Sequence, residues 1–322
     1  MKTSKPIFIS LWSAMFLMLF LSVPILGQTN LNNILRYAHV ANGVQGTGSG
    51  SGTYVTTLLV SNPNNFLVHA VVDSFDDANP NNTLNIGFTT DCPLTTDTTT
   101  NTQTVFAIAP FSACRLLSAG TGQLKTGWLR IFETDSSGNT GTSVIGGYLT
   151  FTFYQGNQFT GFPIFTVGVS PVPIFNQFSL PIVRDAATNQ DIGFAMANPF
   201  TNPPVVMTAQ LFNSSGTAID QHVFTMDQFS HVALFLSQLF PGTLGSVNNF
   251  VGNLVVFGDP TLGDGAVATA LLQQGSQFGG ASPNSDIILQ AKSAGKPGRQ
   301  EATGPMRPHE KINNIATGPV FF

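Results

Sequence analysis

Only 9% of the 322 residues are charged, while Gly (32) and Phe (28) are abundant. A chain of this length has room for two domains of ordinary size, because single cores stop growing near about 250 residues. Scarce charge and the lack of Glu/Lys-rich helical faces argue against the α/β architectures of most metabolic enzymes, and point to short apolar strands between polar turns.

Residues 1–27 have the pattern of an export signal: Lys2 and Lys5 precede an apolar stretch from Ile7 to Leu26. Ile25-Leu26-Gly27 offers a cleavage site before Gln28. The stretch is also long enough to stay as an uncut anchor, which needs about 20 apolar residues. Either outcome predicts a secreted or cell-envelope protein, touching a membrane only through an uncleaved segment. Without residues 1–27, 10 basic side chains face 16 acidic ones, so nucleic acid is not an expected partner.

Beyond the leader the sequence repeats itself. Leu58-Leu59-Val60-Ser61-Asn62-Pro63 matches Phe194-Ala195-Met196-Ala197-Asn198-Pro199, and Phe75-Asp76-Asp77 matches Phe212-Asn213-Ser214. Val105-Phe106 and Phe111-Ser112 match Val223-Phe224 and Phe229-Ser230 at one offset, and Gly127 to Phe132 matches Gly252 to Phe257. Each copy offers about seven short apolar runs, which predicts an all-β fold of two tandem antiparallel β-sandwich (Ig-like) modules. A closed barrel would satisfy the same alternation. The modules span 34–160 and 177–281, with a Pro-rich linker at 161–176 and a disordered basic tail at 282–322.

Cys92 and Cys114 carry the strongest local inference. The interval from Phe75 to Phe106 exceeds its counterpart by 19 residues, and Cys92 lies in that insertion. Cys114 lies on a strand that both copies share, so a disulfide would fasten the extra loop to the sheet in an oxidising compartment.

Other candidates are weaker. Asp73, Asp76 and Asp77, followed by Asn79, Asn81 and Asn82, could offer oxygen ligands to Ca²⁺, the one cofactor considered. The second copy has Asn213 and Ser214 in place of the acidic pair, which favours a solvated hairpin. Trp128, with Asp76, Asp77 and Asn79, forms the candidate carbohydrate-contact set. His39, His69, His222, His231 and His309 show no metal-like spacing, and no Gly-x-Ser-x-Gly elbow is present. Two Asn-x-Ser/Thr sequons, Asn81 to Thr83 and Asn213 to Ser215, fall on corresponding hairpins.

Tyr37-Ala38-His39-Val40-Ala41-Asn42-Gly43, the Thr56 to Val60 strand with Asn62-Pro63, and Gly120-Thr121-Gly122 leading to Gly127-Trp128 resemble an uncharacterised family of exported bacterial proteins with tandem Ig-like β-sandwich repeats. The resemblance spans about residues 34–275 and implies paired sandwiches at or beyond the cell envelope, with no catalytic residues to carry over. The expected function is therefore non-enzymatic: structural, adhesive or scaffolding, with a glycan or a cell-surface or matrix protein as partner. A carbohydrate-binding module is the alternative, and a secreted hydrolase the distant one.

Overall fold

The computed structural model describes residues 33–46, 51–77, 84, 86–94, 103–134, 140–156, 161–201, 204–259, 261–274, 277–279 and 292–293. The leader, Asn79, the sequon at Asn81 and nearly all of the basic tail lie outside them. Among the described residues the chain is all-β: two sheets in which every strand pair is antiparallel, plus one helical turn.

The first sheet comprises β1 (Ile34–Gln45), β2 (Gly52–Ser61), β3 (Val68–Asp76), β4 (Thr89–Thr90), β5 (Gln103–Ile108), β6 (Ala113–Leu117), β7 (Lys125–Thr134), β8 (Gly146–Gln155) and β9 (Phe162–Val169). Its order is β4-β6-β2-β1-β7-β3-β5, with β8 joined to β2 and β9 to β8. β1 makes it curl into a half-barrel, because that strand pairs with β7 along Ile34 to Asn42 and with β2 from Gly43 to Gln45. Gly43 turns the corner at φ +112°, where a Cβ would stand 2.6 Å from the Gln123 carbonyl oxygen. The two layers so formed bury one core, with Leu35, Val72 and Ile131 on one side and Leu58, Val60 and Phe151 on the other.

The second sheet comprises β10 (Phe175–Asp185), β11 (Gln190–Ala197), β12 (Val205–Asn213), β13 (Ala218–Met226), β14 (His231–Phe235), β15 (Asn249–Gly258), β16 (Val267–Gln274), β17 (Gln277–Gly279) and β18 (Lys292–Ser293), with the turn α1 (Leu236–Leu239) after β14. In β12 the period of two is plain: Val205, Met207, Ala209 and Leu211 are buried, and the residues between them are not. Its core joins Phe178, Leu211 and Leu254 to Phe194, Met196 and Ala268.

Neighbour order is the same in both halves. β1-β7-β3-β5 corresponds to β10-β15-β12-β13, and β6-β2-β8-β9 to β14-β11-β16-β17. Register corresponds too. Val72 opposes Ile131 as Ala209 opposes Val256, and Val71 opposes Val105 as Thr208 opposes Val223. Val60 opposes Cys114 as Met196 opposes Val232. These are the positions that the sequence aligns.

The Asn-Pro signature has a structural cause. Asn62 Nδ2 donates to the carbonyls of Phe66, Ile108 and Ala109 at 2.7, 3.0 and 3.1 Å, while its Oδ1 accepts from the Asn64 amide. Asn198 does the same, donating to Met226 and Asp227 and accepting from the Phe200 amide. Each buried amide clamps the turn that leads to Phe111-Ser112 or Phe229-Ser230, bonding carbonyls at the end of β5 or β13.

The Cys92–Cys114 disulfide is formed, with Cα atoms 5.6 Å apart. The inserted loop is further fastened where β4 pairs with β6 and where the Arg115 amide donates to Asp91. Two boundaries differ from the sequence reading. Residues 162–169 of the Pro-rich stretch form edge strand β9, leaving only 170–174 as connector; Pro163 is tolerated at the start of an edge strand. Within the tail, Lys292 and Ser293 pair with β10.

Truncating either clamp strands buried carbonyls. Asn62→Ala and Asn198→Ala should each lower stability by about 2 kcal/mol or more in urea unfolding, with an unchanged denaturant slope.

Candidate functional site

A cluster of polar and aromatic side chains lies where the two halves meet. Its centre is Phe229, in the four-residue turn Asp227-Gln228-Phe229-Ser230, closed by the Ser230 amide on the Asp227 carbonyl at 3.1 Å. Phe229 has φ +55°, a left-handed conformation in which a bulky side chain is rare. Its ring leaves the second half and packs on the outer face of the first.

There Phe75 and Trp128, opposed on β3 and β7, form the platform. Phe75 stacks on Trp128 at 4.4 Å and on Phe229 at 4.7 Å between ring centroids, and all three residues are fully buried. Trp128 Nε1 donates to the Phe229 carbonyl at 2.8 Å, satisfying a polar group on each side of the seam. Arg130, also fully buried, lies over the rings of Phe75, Phe132 and Phe229 at 5.6, 5.2 and 5.8 Å. Its charge is met by Asp73, to which Nη2 and Nε donate at 2.8 and 3.1 Å, and Gln103 Nε2 donates to the other carboxylate oxygen at 2.6 Å. The connector joins in: the Val172 amide donates to the Arg36 carbonyl, and Val172 and Ile174 pack on the Phe229 cluster.

Beside the aromatic cluster runs a histidine relay. His39 sits in the bulge that breaks β1 pairing between Tyr37 and Val40, which turns its ring toward Phe151 and His231. His39 Nδ1 lies 3.4 Å from His231 Nε2, and His231 Nδ1 bonds Asp77 Oδ1. Thr126 Oγ1 donates to the other Asp77 oxygen. Desolvation, followed by repulsion from His231, lowers the His39 pKa to about 3. For Asp77 burial pushes upward, but the charge and hydrogen bonds of His231 outweigh it and hold the carboxyl below its ordinary range.

The adjoining cavity, walled by His39, Tyr54, Phe151 and Leu271, is about 10 Å³, room for about one water.

Of the residues proposed for carbohydrate contact, the described ones have other partners. Trp128 is fully buried under Phe75 and Phe229, so its ring offers no open face to a sugar, contrary to the exposed platform that reading requires. Asp76 pairs with Lys125 at 3.6 Å, Asp77 with His231, and Asn79 lies outside the described residues. The three carboxylates suggested for Ca²⁺ likewise turn to separate partners: Arg130, Lys125 and His231. Among the described residues no three of His, Cys, Asp and Glu gather to hold a metal.

The sequence did not reveal that His39, Asp77, Arg130 and His231 converge. A signal for it was present, because polar seam positions are those where the aligned segments disagree. His231 stands against Ala113, Asp77 against Ser214, Trp128 against Asn253 and Arg130 against Val255. No protein-family model, no curated protein and no solved structure matches the chain.

His39 sets a pH dependence. Between its unfolded pKa of about 6.5 and its folded value of about 3, the unfolded chain binds a proton that the folded chain refuses. Stability is therefore intact above pH 6.5 and falls as pH drops, by up to about 1.4 kcal/mol per unit from this group. Asp77, depressed, acts in the same direction below its unfolded value. In unfolding midpoints measured from pH 7 to 4, His39→Phe should flatten the decline relative to wild type.

Proposed function

We propose that the chain is an exported, non-enzymatic structural or scaffolding protein of the cell surface or extracellular space, built from two tandem Ig-like β-sandwich modules docked at a fixed angle. The tandem reading is supported by matching neighbour order and register, and by the Asn62 and Asn198 clamps occupying equivalent places. The Cys92–Cys114 disulfide supports an oxidising destination, and the Lys2 to Leu26 pattern supports export.

One observation carries the non-enzymatic reading. The polar constellation that might have been catalytic lies in the seam, with His39 and His231 buried and Asp77 half-buried, and its members bond one another across the two halves. A wet, substrate-sized cleft would be the usual setting for a catalytic histidine and carboxylate.

Hydrolytic turnover across ester, peptide, phosphoester and glycoside substrates tests the reading, with Asp77→Asn as comparison. The expected outcome is no turnover that depends on Asp77, His39 or His231, and lower stability in Asp77→Asn. Steady turnover lost in that variant while the fold persists would contradict it. Mass spectrometry of exported protein should show a mature N-terminus at Gln28 or an intact leader, in either case with Cys92 and Cys114 oxidised.

A further inference from the structure

The seam uses one surface from each half, and each half retains an equivalent of the surface that the other one uses. The second half gives the seam its β13–β14 turn, with Phe229 at φ +55°. The first half has the same turn between β5 and β6: Ala109-Pro110-Phe111-Ser112, closed by the Ser112 amide on the Ala109 carbonyl at 3.3 Å, with Phe111 at φ +54°. Yet Phe229 is fully buried and Phe111 is 73% exposed. A bulky aromatic in a strained conformation has an evident reason where it docks, and none within this chain where it points to water. Phe66 and Leu67, 50% and 52% exposed, lie beside it, and the Phe111 amide donates to the Asn64 carbonyl.

The complementary surface is also present. The first half receives Phe229 on Phe75, Trp128 and Arg130. The equivalent face of the second half, Phe212, Asn253 and Val255, is an open groove of about 500 Å³ that Asn213 and Val251 also line. Phe212 and Asn253 are opposed on β12 and β15 as Phe75 and Trp128 are on β3 and β7. Asn253 offers an amide donor where Trp128 offers an indole N–H, and Val255 replaces the Arg130 charge with an apolar wall. The turn Ala109 to Ser112 is likewise uncharged, and the Asp77–His231 contact has Ser214 and Ala113 as its equivalents.

We infer that the Phe111 turn of one chain docks in the Phe212/Asn253/Val255 groove of a second copy, repeating between chains the contact that Phe229 makes within one. The inference rests on the two-module reading above. The contact is heterologous, so it does not close on a pair: every added chain presents a new turn and a new groove, and the product is an open head-to-tail strand. Inside one chain the connector supplies an effective concentration of order millimolar; between chains that help is missing, so assembly belongs to crowded settings such as a surface or matrix. With no charge on either side, it should be insensitive to salt.

Sedimentation of the full mature chain over a range of concentrations tests this directly. Wild type should show masses that grow with concentration past two chains, equally at low and high salt. Phe111→Ser removes the turn's ring and Val255→Asp puts an anion against the ring's seat; both positions lie on the surface, and unchanged thermal unfolding checks the fold. Each variant alone should lose assembly and sediment as one chain. Mixed, they should form a two-chain complex and stop there, because one intact turn and one intact groove remain to pair.

A wild type that stays monomeric at every concentration, that stops at two chains, or whose variants still assemble alone would overturn the inference. So would a groove that binds a glycan while the chain remains monomeric. The non-enzymatic reading is judged separately by the substrate panel, so the two can fail independently.

Discussion

Phe229 is the constraint on which the arrangement of this molecule turns. Two sheets joined by five residues would ordinarily be free to reorient, since contacts between such units are often modest. Here one ring, held in a left-handed turn, is seated against Phe75 and Trp128 with its own carbonyl bonded to the indole. Burying a phenylalanine side chain contributes about 1.5–3 kcal/mol, and a stacked aromatic pair about 0.5–1.5 kcal/mol more. Those terms offset the backbone strain of the turn, about 1–3 kcal/mol, and leave the two halves fixed.

The charged groups in the seam act differently. Desolvating Arg130 and Asp73 costs about as much as their attraction returns, so the pair adds little net stability. What it adds is register. An arginine without its carboxylate, or a carboxylate without its arginine, would be an uncompensated buried charge, so slipped pairings of β3 with β7, on which the two are opposed, are penalised. The His39–His231–Asp77 relay works in the same manner: its bonds are complete only when the β1 bulge, the end of β3 and the start of β14 are brought together.

Much of the fold was legible in the sequence because a β-sheet has a period of two and turns have their own chemistry. Val205 to Leu211 reads as a strand without help, and Asn-Pro followed by a distant Phe-Ser marks the same clamp twice. The disulfide was legible because an insertion with one cysteine needs somewhere to attach. The seam was not, since burial of Trp128 depends on a turn about a hundred residues away, and a bulge that redirects His39 leaves no pattern in a single strand. β9 was hidden by Pro163 together with Pro171 and Pro173 beyond it, which suggest a connector although an edge strand accepts a proline at its start. What pointed toward the seam was disagreement between copies: equivalent positions that face different surroundings diverge in polarity, as Trp128 and Asn253 do.

Trp128 is one of two tryptophans, the other being Trp12, so its emission in a Trp12→Phe background reports on the seam alone. If Phe229 locks the halves, emission should be blue-shifted and shielded from a soluble quencher in the parent, and red-shifted and quenchable in Phe229→Asp, with the far-ultraviolet β signal retained. A tryptophan already open to quencher in the parent, or one unmoved by Phe229→Asp, would contradict the account.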